Sequence, residues 1–212
     1  MFDDLLDTLA RQDVAVVLSF VLVFLTLDAS VGIGLITPGD GLLLVAGATA
    51  GSVPETLALI GTGVLACLLG ATGGHWLGRR YGPRLRQSRL GRRVGEERWT
   101  RAERILRRSG WALALAYFLP MVHTLTPAVA GAVGMPYRRF MPWALLGSTA
   151  WVSTYIVLGA VAGQVARRDA GLLLPVAGAA VVAVLAITAV ARRVLNGGRA
   201  APRGRSAGRR PR

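Results

Sequence analysis

The stretch Leu35-Ile36-Thr37-Pro38-Gly39-Asp40-Gly41 cuts an apolar run in two with helix-breaking residues and leaves an acid at the break. Upstream, Val14 to Ile36 is apolar apart from Asp28. Downstream, Leu42 to Gly51 covers about ten residues, roughly 15 Å as helix, which is half the hydrocarbon core of a bilayer. The pattern returns in the second half of the chain. Trp111 to Leu119 is a short apolar arm interrupted by Pro120, His123 follows, and Leu125 to Met135 is a second short arm. Leu35-Ile36-Thr37-Pro38 with Ala46-Gly47-Ala48 is thus echoed by Phe118-Leu119-Pro120 with Ala130-Gly131-Ala132. Paired interrupted segments in corresponding positions point to inverted repeats around a transport-type site. Irregular backbone at membrane depth must be buried in protein or line a wet cavity, and two facing hairpins provide that cavity.

Around these hairpins lie longer apolar runs. Pro54 to Leu77, Met141 to Ala166 and Gly171 to Ala191 are bilayer-length. The 212 residues carry 25 basic side chains, all arginine, against 11 acids, for a net charge of +14. The charge sits in blocks between the apolar runs, which excludes a soluble enzyme and explains the basic excess without nucleic acid. Residues 79–108 hold 12 arginines and 3 glutamates, and Trp99, Ala102, Ile105 and Leu106 share a helical face suited to the membrane surface. The tail 192–212 holds 8 arginines and no acid among Gly, Ala and Pro, a composition that predicts disorder. Residues 1–13 carry Phe2, Leu5, Leu6 and Leu9 at helical spacing, an interfacial lead whose acids are the reverse of a signal-peptide n-region.

The expected architecture is therefore an all-α integral membrane protein. Residues 14–191 form its membrane domain, with two opposed re-entrant helical hairpins as an inverted repeat, about three full transmembrane helices, and interfacial helices. The two strongest basic regions, 79–108 and 192–212, are expected in the cytoplasm. Two full spans between them return the chain to one side only if 111–135 dips in and leaves on that same side.

Asp28 and Asp40 are the acids of the apolar segments 14–51, and an intramembrane carboxylate is by default a functional-site hypothesis. Each has a plainer reading: an interfacial position for Asp28, and an N-cap for the second arm in the case of Asp40. His123 is either a hydrogen-bonded structural residue or an actor opposite the acidic turn. His75, beside Trp76 at the end of a span, reads as an interfacial anchor, and Cys67 as a small buried residue. Arg138 and Arg139 suit topology and headgroup contact, with direct grip on a lipid phosphate as the sharper alternative. Nucleophile-elbow, zinc-protease and P-loop motifs are missing, and no acid cluster suits Mg²⁺. The reading is of a non-enzyme with no metal or cofactor.

Several of these residues carry a resemblance. Pro38-Gly39-Asp40 followed by Ala46-Gly47, with an acid twelve residues before Asp40, resembles the N-terminal signature of the bacterial DedA membrane-protein family. Leu77-Gly78-Arg79-Arg80-Tyr81-Gly82 is similar to that family's glycine–arginine motif. Phe118-Leu119-Pro120, His123-Thr124, Ala130-Gly131 and Met135-Pro136-Tyr137-Arg138-Arg139-Phe140 are similar to its most characteristic stretch, and Trp151 and Gly159 also fit. The resemblance covers about residues 14 to 165. It implies two opposed re-entrant hairpins, roles in envelope homeostasis, and movement of undecaprenyl phosphate or phospholipid across the membrane. By resemblance, Asp28 and Asp40 stand at the family's two functional acids. Tyr117 and His123 stand where the family has arginines, so a bidentate phosphate clamp is missing here.

The functional expectation is a flippase-like transporter of a lipid or lipid-linked phosphate, proton-coupled through Asp28 and Asp40, in a bacterial cytoplasmic membrane. A non-transporting scaffold is the main rival and a membrane-embedded lipid enzyme the lesser one. Candidate binding residues are Asp28, Pro38, Gly39, Asp40, Tyr117, Pro120, His123, Thr124, Arg138 and Arg139. The expected partners are membrane lipids and their anionic headgroups, with a homo-oligomer compatible and no nucleic acid. The arginine distribution generates a first test: a cysteine placed at position 95 in a Cys67→Ala background should react with impermeant reagents only from the cytoplasmic side.

Overall fold

The structure, a computed structural model, describes residues 14–31, 39–87, 110–119, 122–169 and 173–197, with scattered positions between 88 and 109. The lead 1–13, Pro38, Pro120 and the chain beyond Gly197 lie outside the described residues. Among the described residues seven helices follow in order: α1 Val14–Val31, α2 Gly39–Thr49, α3 Val53–Gln87, α4 Trp111–Ala116, α5 Val122–Ala132, α6 Tyr137–Arg168 and α7 Leu173–Gly197. Among the described residues there is no strand. Two helices among the described residues, Val53–Arg84 and Tyr137–Arg168, are long and apolar enough to cross a membrane. At 32 residues each they reach about 48 Å, beyond a hydrocarbon core of about 30 Å. By contrast α2 and α5 have 11 residues each, roughly 16 Å.

The long helices overrun the expected boundaries. Arg79, Arg80, Arg84 and Arg86 continue α3 instead of starting a separate block, and Arg138–Arg139 and Arg167–Arg168 form the first and last turns of α6. The basic tail likewise starts inside α7, which carries Arg192 and Arg193. Arginine is a strong helix former, so a charged end continues the helix once it has left the apolar layer. Arg86 pairs with Glu96, and its guanidinium holds the Glu96 carboxyl below the usual carboxylate range. Trp99 departs from the expected surface placement: it is buried in the main core with Leu113, Phe140 and Trp151, because a large indole stabilises most when removed from solvent.

The packing has an internal symmetry. In each half, the first arm lies on that half's own long helix, α1 on α3 and α4 on α6. The second arm crosses to the other half, α2 onto α6 and α5 onto α3. Glycine makes the crossings close. A Cβ on Gly47 would sit 2.3 Å from the Ile156 carbonyl oxygen, one on Gly159 2.1 Å from that of Leu44, and one on Gly163 2.3 Å from that of Ala48. The second crossing repeats this residue for residue. A Cβ on Gly131 would lie 2.1 Å from the His75 carbonyl oxygen, one on Gly78 2.0 Å from that of Ala128, and one on Gly82 2.5 Å from the Ala132 Cα. Gly159 and Gly163, like Gly78 and Gly82, are four residues apart, the spacing that lets helix backbones touch. The two Ala-Gly-Ala segments are therefore equivalent contact points of two equivalent helix pairs.

This geometry sets opposite outcomes for one kind of substitution. Gly159→Ala and Gly131→Ala should each force the helices apart and cost about 1–3 kcal/mol. Gly61→Ala, where a Cβ meets nothing within 4 Å, should be neutral or stabilising by up to about 1 kcal/mol through helix propensity. Thermal unfolding of the purified protein in detergent reads both.

Candidate functional site

The starts of the two crossing arms, α2 and α5, come together beside α1 and α6. Asp28, near the end of α1, is 3% exposed. It is placed there by Thr26 and Ala29, whose backbone and methyl press on Gly70 of α3. Its carboxylate abuts the first residue of α2, since a Cβ on Gly39 would lie 3.2 Å from Asp28 Oδ2. Glycine at position 39 is thus what lets the arm start against the acid.

Asp40 follows in the first turn of α2. It is not the N-cap that its position before Leu42 suggested, because the helix already starts at Gly39 and the side chain turns to α6. There Trp151 Nε1 donates to Asp40 Oδ1 at 3.1 Å, and the Tyr155 hydroxyl is a second hydrogen-bond partner. Trp151 and Tyr155 sit one turn apart on α6, both buried, with ring centroids 5.7 Å apart. A carboxylate away from water needs donors of this kind.

His123, in the first turn of α5, completes the group. Its ring lies 5.0 Å from that of Trp151, its side chain is 10% exposed, and Nε2 is 3.8 Å from Asp28 Oδ2. Nδ1 faces the Leu119 carbonyl oxygen at 3.3 Å. Among the described residues, two polar atoms, His123 Nε2 and Tyr117 Oη, are buried without a hydrogen-bond partner. Tyr117 and Cys67 are both buried in the same core. The junction therefore holds two carboxylates, one imidazole and a ring of aromatic side chains. Among the described residues, no three His, Cys, Asp or Glu converge closely enough to hold a metal ion.

Of the residues expected at a site, Asp28, Gly39, Asp40 and His123 are brought together, and Tyr117 and Thr124 are buried in the same core region. Arg138 and Arg139 are exposed on the first turn of α6. Pro38 and Pro120 lie outside the described residues. His75 is not an interfacial anchor: it is 3% exposed, stacks on Phe140 at 4.8 Å, and pairs through Nε2 with the Met135 carbonyl oxygen at 2.9 Å. Helix spacing explains the difference, since consecutive residues lie about 100° apart around α3 and of the two only Trp76 is exposed.

Sequence reasoning missed the Trp151–Tyr155 pair as site residues. The signal available was two aromatics bearing hydrogen-bond donors, four residues apart, in an otherwise apolar span. It also missed Arg167, whose guanidinium donates to the carbonyl oxygens of Ala48 at 2.8 Å and Ala50 at 3.0 Å. That fork satisfies the end of α2, where backbone carbonyls lack helical partners.

The sequence between Thr37 and Val161, which holds both crossing arms and both long helices, matches the VTT domain family over residues 37–161. The chain belongs to the VTT-domain (DedA) family. It is 30% identical over 154 residues to Protein DedA of Escherichia coli strain K12, covering 70% of this chain and 69% of that protein. An uncharacterized membrane protein of Mycobacterium leprae is 31% identical over 131 residues, covering 60% of this chain and 59% of its own length. The chain thus spans less than two thirds of that relative. Another, from Mycobacterium tuberculosis strain H37Rv, is 32% identical over 159 residues, covering 69% of this chain and 72% of the relative. No solved structure matches. The relatives are membrane proteins, in agreement with the two membrane-length helices of this chain.

The hydrogen bond between Trp151 and Asp40 generates a coupling test. Trp151→Phe should lower stability by about 1 kcal/mol by leaving a half-buried carboxylate short of a donor. The loss should shrink in an Asp40→Asn background, and a double-mutant cycle on thermal unfolding measures the difference.

Proposed function

We propose that this VTT-domain protein is a transporter that moves a lipid or lipid-linked phosphate across a bacterial cytoplasmic membrane, coupled to protons, and that it is not an enzyme. The observation that carries the reading is the convergence of Asp28, Asp40 and His123 where the starts of two half-length arms meet. In this reading α1–α2 and α4–α5 are re-entrant hairpins facing each other from opposite sides, while α3, α6 and α7 cross fully. The crossed packing of the arms supports an inverted repeat, because a two-fold operation exchanges α2·α6 with α5·α3. A buried and a half-buried carboxylate at such a junction are suited to exchange protons as the arms rock and expose the site to alternate sides. The basic segment and the tail hold the cytoplasmic side by their arginines. Membrane lipids are the partners, and the route of the headgroup passes between the arm tips.

The test is lipid translocation by the full chain in liposomes with an imposed pH gradient. Wild type should move lipid, and faster with the gradient than without. Asp28→Asn and Asp40→Asn keep size but remove the charge and the titratable proton, so each should slow transport by roughly tenfold or more, the scale of one charged interaction. A scaffold would tolerate both substitutions and move no lipid.

A further inference from the structure

His123 sits between two acceptors. Nδ1 is 3.3 Å from the Leu119 carbonyl oxygen, and Nε2 is 3.8 Å from Oδ2 of Asp28 on α1. A neutral imidazole has one N–H and one lone pair. With the proton on Nδ1, the Nε2 lone pair faces a carboxylate. With the proton on Nε2, the Nδ1 lone pair faces a carbonyl. Either neutral form therefore sets a lone pair against an oxygen that only accepts, whereas the imidazolium has a donor for each neighbour. Nε2 is buried and short of a hydrogen bond at this distance, and a closure of about 1 Å would make one. An imidazole holds a proton to a pH about 2–3 units higher than a carboxyl does, so of the pair His123 is the carrier.

The surroundings suit a cation. Asp28 approaches from α1, and Asp40 of α2 bonds Trp151, whose ring lies 5.0 Å from that of His123. From α3 and α4 the same core receives Cys67 and Tyr117, a thiol and a phenol. The side chains of His123 and Asp28 are 10% and 3% exposed, which leaves little water to screen the pair. The ties at the far ends of the arms behave differently. Arg167 is cationic at every physiological pH, and His75 needs only one N–H for the Met135 carbonyl, which a neutral ring has. We infer that His123 and Asp28 form a proton-operated tie between the arms: the imidazolium binds the start of α5 to the end of α1, and its deprotonation sets a lone pair against the carboxylate and parts them. The tie is closed at low pH and opens as pH rises. It concerns how the arms are held together and stands whether or not lipid moves.

The experiment uses the purified full chain labelled with ¹⁵N at its two histidines, and replacing either by glutamine assigns the other. Between a pH of about 8.5 and one of about 5.5, a range in which imidazoles titrate, the His123 nitrogens should shift from the pattern of a neutral ring to that of an imidazolium. A second measurement reads the tie. Nitroxides on cysteines at the exposed positions Val23 of α1 and Leu125 of α5, in a Cys67→Ala background, should give a narrow distance distribution at the low pH and a longer or broader one at the high pH. Asp28→Asn and His123→Gln should each give the high-pH distribution at both. A His123 ring that keeps one charge state across the range would overturn the tie, as would distances that ignore pH while the ring titrates. The distances with Asp28 and His123 intact need neither variant to fold.

Discussion

Close contact between helix backbones at the two crossings is the constraint on which the rest of the structure depends. Each second arm is too short to span a bilayer and must find its partners in protein. Glycine supplies the contact, because any Cβ at Gly47, Gly159, Gly78 or Gly131 would meet a carbonyl oxygen at about 2 Å. Contacts rise together along α2 and α6, from Asp40 with Trp151 to Ala48 with Gly163, so the two helices run in the same direction. The register of the glycines therefore also sets which α6 side chains meet the start of α2. Asp40 lands on Trp151 because Gly47 and Gly159 lock the turns that follow.

The ends of the arms need partners too. The last carbonyls of α2 are taken by the Arg167 fork from α6, and the turn after α5 is held by His75 of α3 through the Met135 carbonyl. Both ties come from the long helix of the other half. Each arm is thus fixed at its far end by a polar side chain and along its length by glycine contact. The start of α2 is held as well, by the hydrogen bond from Trp151 to Asp40 and the packing of Gly39 on Asp28.

The electrostatics of the junction follow from the same crossing. Two carboxylates close together in a sheltered region repel each other and lose hydration. Their neighbours compensate in different ways: Trp151 and Tyr155 donate to Asp40, while Asp28 lies near the His123 imidazole. The exposed arginine pairs Arg138–Arg139 and Arg167–Arg168 stay on the ends of α6.

Sequence by itself determined the class of molecule and the arms: bilayer-length apolar runs, arginine blocks, and two Pro/Gly breaks are local signals that burial and backbone chemistry impose on any fold. The Ala-Gly-Ala echo likewise marked equivalent points, and Asp28, Asp40 and His123 stood out because titratable groups in apolar runs are costly. Only the tertiary structure decided which long helix each arm packs on, since the period of a glycine pattern names a face but not its partner. It alone turned Asp40 from an N-cap to the partner of Trp151, 111 residues away in the chain, and moved His75 from the interface into the core. It also gave Arg167 a task that its place in a basic cluster concealed. Hydrogen bonds between distant segments leave no periodicity in a sequence, because the spacing that satisfies them exists only after the helices have crossed.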